Sequence, residues 1–201
     1  MYQVYGDMIS GNCYKIKLLM SFLSIPHEWT HVDILAKETD TVEFLEMNPN
    51  AKIPVLKIDS TTYLTESNAI LNFLAEDTNF LPDSGIERAR VLEWQFFEQY
   101  SHEPYIAVAR FINKFLGLPE DKVELYHSKQ AGGHQALAIL ENHLTENDYL
   151  VGDQATIADI SLYAYTHVAD EGGFDLSKYP NIQAWFSRIE SIPGYISMRK
   201  N

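Results

Sequence analysis

A single cysteine, Cys13, stands among the 201 residues. It excludes an internal disulfide, and the lack of any Cys-x-x-Cys excludes a two-thiol redox cycle within one chain. Basic side chains are also scarce, 15 against 28 acidic ones, for a formal net charge of −13. Such a chain has little sequence-independent attraction for nucleic acid or an anionic membrane surface, and neither is expected as a partner. An anionic ligand would need a local positive site, built from a helix N-terminus and a few lysines. Apolar runs stop far short of the roughly 18 residues of a membrane span. The opening MYQVYGDM has no basic start followed by an apolar stretch, so no signal peptide is expected and a cytoplasmic location is. There is no internal repeat and no low-complexity tract, and no metal is expected.

At 46% hydrophobic the chain can fill one large core or two smaller ones, and pattern decides between them. Residues 2–5 read as a strand ending at Gly6. From Asn12 to Leu23 the apolar positions Ile16, Leu19, Met20 and Leu23 recur at spacings of three and four, one face of a helix. Residues 28–33 alternate weakly as a second strand, and 38–47 read as a short helix closed by Asn48-Pro49. Residues 55–58 and 62–64 form two strands across the turn Asp59-Ser60-Thr61, short enough for an antiparallel hairpin. A helix follows from Ser67 to about Glu76. The order β-α-β-α-β-β-α predicts a mixed α/β sheet domain over 1–80, with 81–85 as linker in a stretch rich in Pro, Asp, Ser and Gly. Long helical patterns at 86–115 and 120–145 predict an all-α domain over 86–201. Within it, Thr156-Ile157-Ala158-Asp159 before an apolar run is a capping box that starts a buried helix.

Three short stretches carry candidate chemistry. KIPVL, residues 52–56, reads as a buried strand with a proline inside it. Pro54 is either a trans residue that opens an edge strand at Val55 or a cis residue that turns the backbone of Ile53 outward as a pairing edge for an extended peptide. In LTESNAI, residues 64–70, Ser67 stands where a strand gives way to a helix. It is either a plain N-cap or, with the exposed helix N–H groups, a grip for a carboxylate, while Glu66 beside it suits an ammonium. A group carrying both charges is an α-amino acid end. In ISGNCYK, residues 9–15, a hydroxyl, a glycine, an amide and a thiol crowd the positive end of a helix, where a thiolate would be stabilised. Ser10 is a cap or a donor to that thiolate, and Cys13 is either reactive or a small buried apolar residue.

Taken together, SGNCYK after a first strand, NPNAKIPVL, LTESNAIL, the helical second half and the TIAD cap resemble the glutathione transferase family, bacterial cytosolic type, over essentially the whole chain. The resemblance implies a thioredoxin-like N-terminal domain, an all-helical C-terminal domain and a homodimer. It implies glutathione as co-substrate, with the backbone of Ile53 pairing its cysteinyl unit, Glu66 and Ser67 holding its γ-glutamyl end, and Lys52 near a carboxylate. Pro54 is then expected to be cis. For the group that activates the thiol, Ser10 ranks first, with Cys13, Tyr5 and Asn12 as alternatives. A second pocket for a small hydrophobic electrophile is expected from the helical domain, at Tyr105, Val108, Phe111 and Phe115 with Arg110 beside them, although the same face reads equally as core. The expected activity is conjugation of glutathione to electrophiles. The alternatives are a glutathione-dependent disulfide or peroxide reductase and, in another class, a non-catalytic binding module of the same fold.

Overall fold

In the computed structural model residues 1–199 are described, and the chain divides into two compact units, Met1–Glu76 with the segment from Ile192 onward, and Asp77–Ser191. In the first unit β1 (Tyr2–Gly6) buries Val4 and Gly6. Helix α1 (Gly11–Phe22) follows, burying Cys13, Ile16, Leu19 and Met20, then β2 (His27–His31) and, after a tight turn, α2 (Val42–Met47). Strands β3 (Val55–Lys57) and β4 (Tyr63–Leu64) and helix α3 (Ser67–Ala75) complete the unit. The sheet order is β2-β1-β3-β4, with β1 parallel to β2 and antiparallel to β3, and β3 antiparallel to β4. This is the mixed four-stranded sheet the pattern predicts, a thioredoxin-like arrangement.

Local chemistry sets the joints. Asp59 Oδ1 accepts from the backbone N–H of Thr61 and Thr62, both at 2.9 Å, and folds the β3–β4 hairpin. The helix expected over 38–47 is shorter, because Thr41 breaks it. Thr41 stays extended and its hydroxyl caps α2 by accepting from Phe44 N at 3.3 Å, leaving Glu38–Asp40 as a separate 3₁₀ turn. Gly6 ends β1 against Cys13. A Cβ at position 6 would stand 2.6 Å from Cys13 Sγ, so the thiol occupies the space that a side chain there would need. The returning C-terminal segment is tied to α1, where Tyr14 Oη donates to Ile196 O at 2.7 Å and Ser21 Oγ to Gly194 O at 2.6 Å.

The second unit is helical: α4 (Gly85–Phe97), α5 (Glu103–Arg110), α6 (Val123–His143), α7 (Ile157–Thr166) and α8 (Pro180–Glu190). Between α4 and α5 the chain stays helical through a π turn at Glu98–His102, and a second π turn follows at Phe111–Phe115. The first absorbs Pro104, which has no N–H for an ordinary helical bond and whose ring would crowd the preceding turn. Every residue of α7 is buried, which marks it as the central helix. Its start is the predicted capping box. Thr156 Oγ1 accepts from Ala158 N at 3.2 Å, and Asp159 Oδ2 accepts from Thr156 N at 2.9 Å. Asp159 also reaches beyond its helix, since its Oδ1 accepts from Leu150 N and from Trp185 Nε1, each at 3.0 Å.

Candidate functional site

The register of the sheet brings the three motifs to one end of the first unit. Val55 lies opposite Tyr5 near the end of β1, and Leu64, the last residue of β4, lies opposite Leu56. Residues 52–54 therefore precede β3 at the same end where β1 runs into α1 and β4 runs into α3.

The Ile53–Pro54 bond is cis. Among the described residues the backbone N–H and C=O of Ile53 enter no hydrogen bond, while its side chain packs beside Val32, Phe44 and Val55. Lys52 is exposed, and its carbonyl accepts from Asn48 Nδ2 at 2.7 Å, which holds the loop before the proline. Glu66 is exposed with φ 64° and ψ 112°, a conformation that costs a non-glycine residue about 1–3 kcal/mol and collects at functional sites.

Ser67 departs from one of its two expected roles. It is the first residue of α3 rather than its cap, and the capping position, held by Glu66, has no side-chain capping bond. The Ser67 hydroxyl is instead drawn across to α1, donating to Asn12 Oδ1 at 3.1 Å and accepting from Lys15 Nζ at 3.2 Å. Lys15 Nζ also donates to Asn12 Oδ1 at 2.8 Å, closing a triangle between the two helix starts. Lys15 is the residue that sequence reasoning missed. Its signal was present in SGNCYK, where a lysine one turn after Asn12 points along the same helix face.

The four candidates for thiol activation fare differently. Ser10 occupies the N-cap position of α1, half-buried, with no capping bond from its side chain. Asn12 is half-buried with its carbonyl oxygen held in the triangle. Cys13 has no exposed surface, and burial pushes its thiol up to about 12 despite a hydrogen bond from Ser10 that pulls it down. A thiolate there is suppressed, so the reactive reading of Cys13 gives way to its packing role. The Tyr5 hydroxyl donates to Gln3 Oε1 at 3.0 Å, back along β1 and away from α1, because residues two apart on a strand share a face.

In the helical unit Tyr105, Val108, Phe111 and Phe115 are half-buried, as a face shared between packing and surface would be. The Tyr105 ring covers Gly132, and Phe111 and Phe115 lie with ring centres 5.9 Å apart. Arg110 stands beside this face, its guanidinium carbon 5.1 Å from the centre of the Phe115 ring, and its charge is paired rather than open. Its side chain is 3% exposed, and its Nε donates to Glu171 Oε2 at 2.6 Å. Burial opposes the charge on Glu171, yet hydrogen bonds from Lys114 and Arg110 outweigh it and hold the carboxyl below its ordinary range. A cavity of about 570 Å³ lies elsewhere in this unit, lined by Trp94, Phe97, Ile139 and His143 among others, and contains none of the predicted residues. Among the described residues no cluster of three or more His, Cys, Asp or Glu could hold a metal, and no helix is long and apolar enough to cross a membrane.

A four-stranded mixed sheet whose open end gathers a cis proline, an acid–hydroxyl pair and a helix N-terminus, followed by a helical unit, defines a glutathione S-transferase fold. The sequence matches that family's two models, the N-terminal domain over residues 9–77 and the C-terminal domain over 95–193. The crystal structure of a glutathione S-transferase from Pseudomonas fluorescens Pf-5 is 58% identical, with a TM-score of 0.97 and 99% of both chains covered. That of a possible glutathione S-transferase from Rhodopseudomonas palustris is 42% identical, with a TM-score of 0.96, covering 100% of this chain and 91% of that one. Among curated proteins, the disulfide-bond oxidoreductase YfcG of Escherichia coli strain K12 is 29% identical over 189 residues, 90% of this chain and 87% of that protein. The chain belongs to the glutathione S-transferase family.

Proposed function

We propose that the protein is a glutathione transferase that activates the glutathione thiol for attack on small hydrophobic electrophiles. The observation that carries this reading is the convergence, at one end of the sheet, of a strand-like backbone edge at Ile53, the Glu66–Ser67 pair and the start of α1. Glutathione is an extended tripeptide with an α-amino acid end, a central cysteinyl unit and a terminal carboxylate. The unpaired N–H and C=O of Ile53 suit the cysteinyl backbone, in the manner of an added strand. Glu66 suits the ammonium, and the N–H groups of α3 with the Ser67 hydroxyl suit the carboxylate beside it. The exposed Lys52 suits the remaining carboxylate.

The thiol then falls to the start of α1, where the helix dipole favours negative charge. Asn12 is one donor there, and Ser10 is the other once its hydroxyl turns from the Cys13 sulfur. Either lowers the thiol pKa by hydrogen-bonding the anion more strongly than the neutral thiol. The thiolate sulfur forms a bond to the electrophilic carbon, the leaving group departs with its electron pair, and the thiol proton goes to solvent. The apolar face of Tyr105, Val108, Phe111 and Phe115 offers the kind of surface that such an electrophile needs. The likeness to a disulfide-bond oxidoreductase supports a second reading, in which the same thiolate attacks a disulfide sulfur and a second glutathione resolves the mixed disulfide. Cys13 has no part in either. We also assign the protein a homodimeric state, through an exposed stripe on α4 and the π turn after it: Leu92, Phe96 and Tyr100, at spacings of four.

Retention on immobilised glutathione tests the site. Wild type should be retained, and Glu66→Ala or Ser67→Ala should pass through while keeping the wild-type circular dichroism. Retention unchanged by both would refute the placement. Parallel rates for Ser10→Ala, Asn12→Ala and Tyr5→Phe against an activated aryl halide and a small disulfide then separate the donors and the two reactions.

A further inference from the structure

We infer that Lys15 is a positioning residue for the thiol site, fixing which end of the Asn12 amide faces the glutathione sulfur. The inference rests on the proposed function, with Asn12 as a donor to the thiolate. Lys15 is fully buried on α1, one turn after Asn12, with its Nζ 2.8 Å from Asn12 Oδ1 and 3.2 Å from Ser67 Oγ. An ammonium only donates hydrogen bonds. The amide atom that meets it must therefore be the oxygen, and the opposite orientation would set two donors against each other.

Ser67 Oγ donates to the same oxygen at 3.1 Å in the free protein, and when that hydroxyl turns to the ligand's carboxylate Lys15 Nζ is the donor that still holds Oδ1. In a planar amide the nitrogen lies on the other branch, so pinning Oδ1 inward turns the two N–H groups of Asn12 away from the buried pair. Two N–H donors there stabilise a thiolate, whereas a flipped amide would present lone pairs to it and raise its pKa. Lys15 thus decides the sign of the contact without touching the ligand. Because the third member of the triangle is Ser67, the same amine also ties the γ-glutamyl grip to the thiol donor.

A purely structural lysine, bridging α1 and α3, would alter stability but not the titration of bound glutathione. The test compares wild type, Lys15→Met, Lys15→Arg and Asn12→Ala by the ultraviolet absorbance of the glutathione thiolate on binding, and by the pH profile of kcat/KM with an activated aryl halide. Lys15→Met should lose the thiolate absorbance at neutral pH, move the rising limb of the profile to higher pH and lower kcat/KM at neutral pH by about 10- to 100-fold. Lys15→Arg, which keeps the charge and the donors, should restore part of each. In an Asn12→Ala background the Lys15→Met effect should largely vanish, because the lysine acts through the amide. If Lys15→Met does not fold, Lys15→Gln, whose amide accepts as well as donates and so no longer forces the Asn12 orientation, takes its place in the same comparison. A thiolate signal in wild type that Lys15→Met leaves unchanged overturns this inference alone, as does an Asn12→Ala variant with wild-type titration. No thiolate signal in wild type overturns the proposed function and this inference with it.

Discussion

Replacing Asp159 by asparagine changes one oxygen of a buried carboxylate into an NH₂ and should unfold the protein many degrees earlier. Three of the groups that meet this carboxylate are fixed N–H donors. Leu150 N and Trp185 Nε1 reach Oδ1, and Thr156 N reaches Oδ2, all at 2.9–3.0 Å. The fourth, Thr156 Oγ1 at 3.1 Å, can rotate to accept instead. Whichever way the asparagine is placed, its NH₂ faces at least one N–H that cannot turn. The least costly placement loses one charge-assisted bond, about 1.5–3 kcal/mol, and strands a buried donor at about 1–3 kcal/mol more, or about 2.5–6 kcal/mol together. For a chain of this length that corresponds to a fall of about 5–24 °C in Tm. Thermal unfolding followed by circular dichroism at slightly alkaline pH measures it. Burial pushes the Asp159 pKa up while the N–H bonds pull it down, and the net direction is upward. If the upward push were large enough to keep the group as a neutral acid, an NH₂ would replace an O–H with little cost. A variant within about 0.5 kcal/mol of wild type would therefore refute the ionised network, since that is the range of inert surface changes.

The buried thiol makes its own prediction. With its pKa at about 12, against an ordinary 9.0, Cys13 should resist iodoacetamide in the folded protein and react once urea unfolds it, and rapid native labelling would contradict its burial. The raised value also means that the folded state keeps the proton longer than the unfolded one, so stability is full below pH 9 and falls as pH rises from 9 to 12, by up to about 4 kcal/mol. Urea midpoints measured across that range should show the slope in wild type and its loss in Cys13→Ala. For the stripe on α4, wild type should sediment at twice 23.0 kDa and Phe96→Asp at 23.0 kDa, and a wild-type monomer at micromolar concentration would remove the assignment.

Much of the fold could be read from local signals because each had a physical cause confined to a few residues. Asp59 makes its own turn, Thr156 and Asp159 make their own cap, and the alternation around them does the rest. What local pattern could not show is where side chains go when a partner from another element competes for them. Ser67 reads as a cap because serine before an apolar run usually is one, yet Lys15 and Asn12, more than fifty positions earlier, claim its hydroxyl. Arg110 reads as a charge beside an apolar face, and local pattern could not show that its partner is Glu171, 61 positions away. Thr41 breaks a helix that composition would have continued, and two π turns shift the phase of the run from 85 to 115, so the face traced by a constant period mixes packed and half-open positions. The bond before Pro54 and the break between β4 and α3 could be read because each sits at an element junction, where backbone geometry rather than a distant partner sets the outcome.

The contact between Gly6 and Cys13 places one volume under the control of two positions seven residues apart. The sulfur fills the hollow left by a missing side chain, with the would-be Cβ 2.6 Å from Sγ and 3.3 Å from the cysteine's own Cβ. A methyl gained at the end of the strand must be matched by atoms lost from the helix, and a larger residue at 13 must find that hollow still empty. Drift in this chain therefore cannot treat the two sites separately. Its only cysteine is kept or discarded according to what stands at position 6, as one half of a single heritable fit.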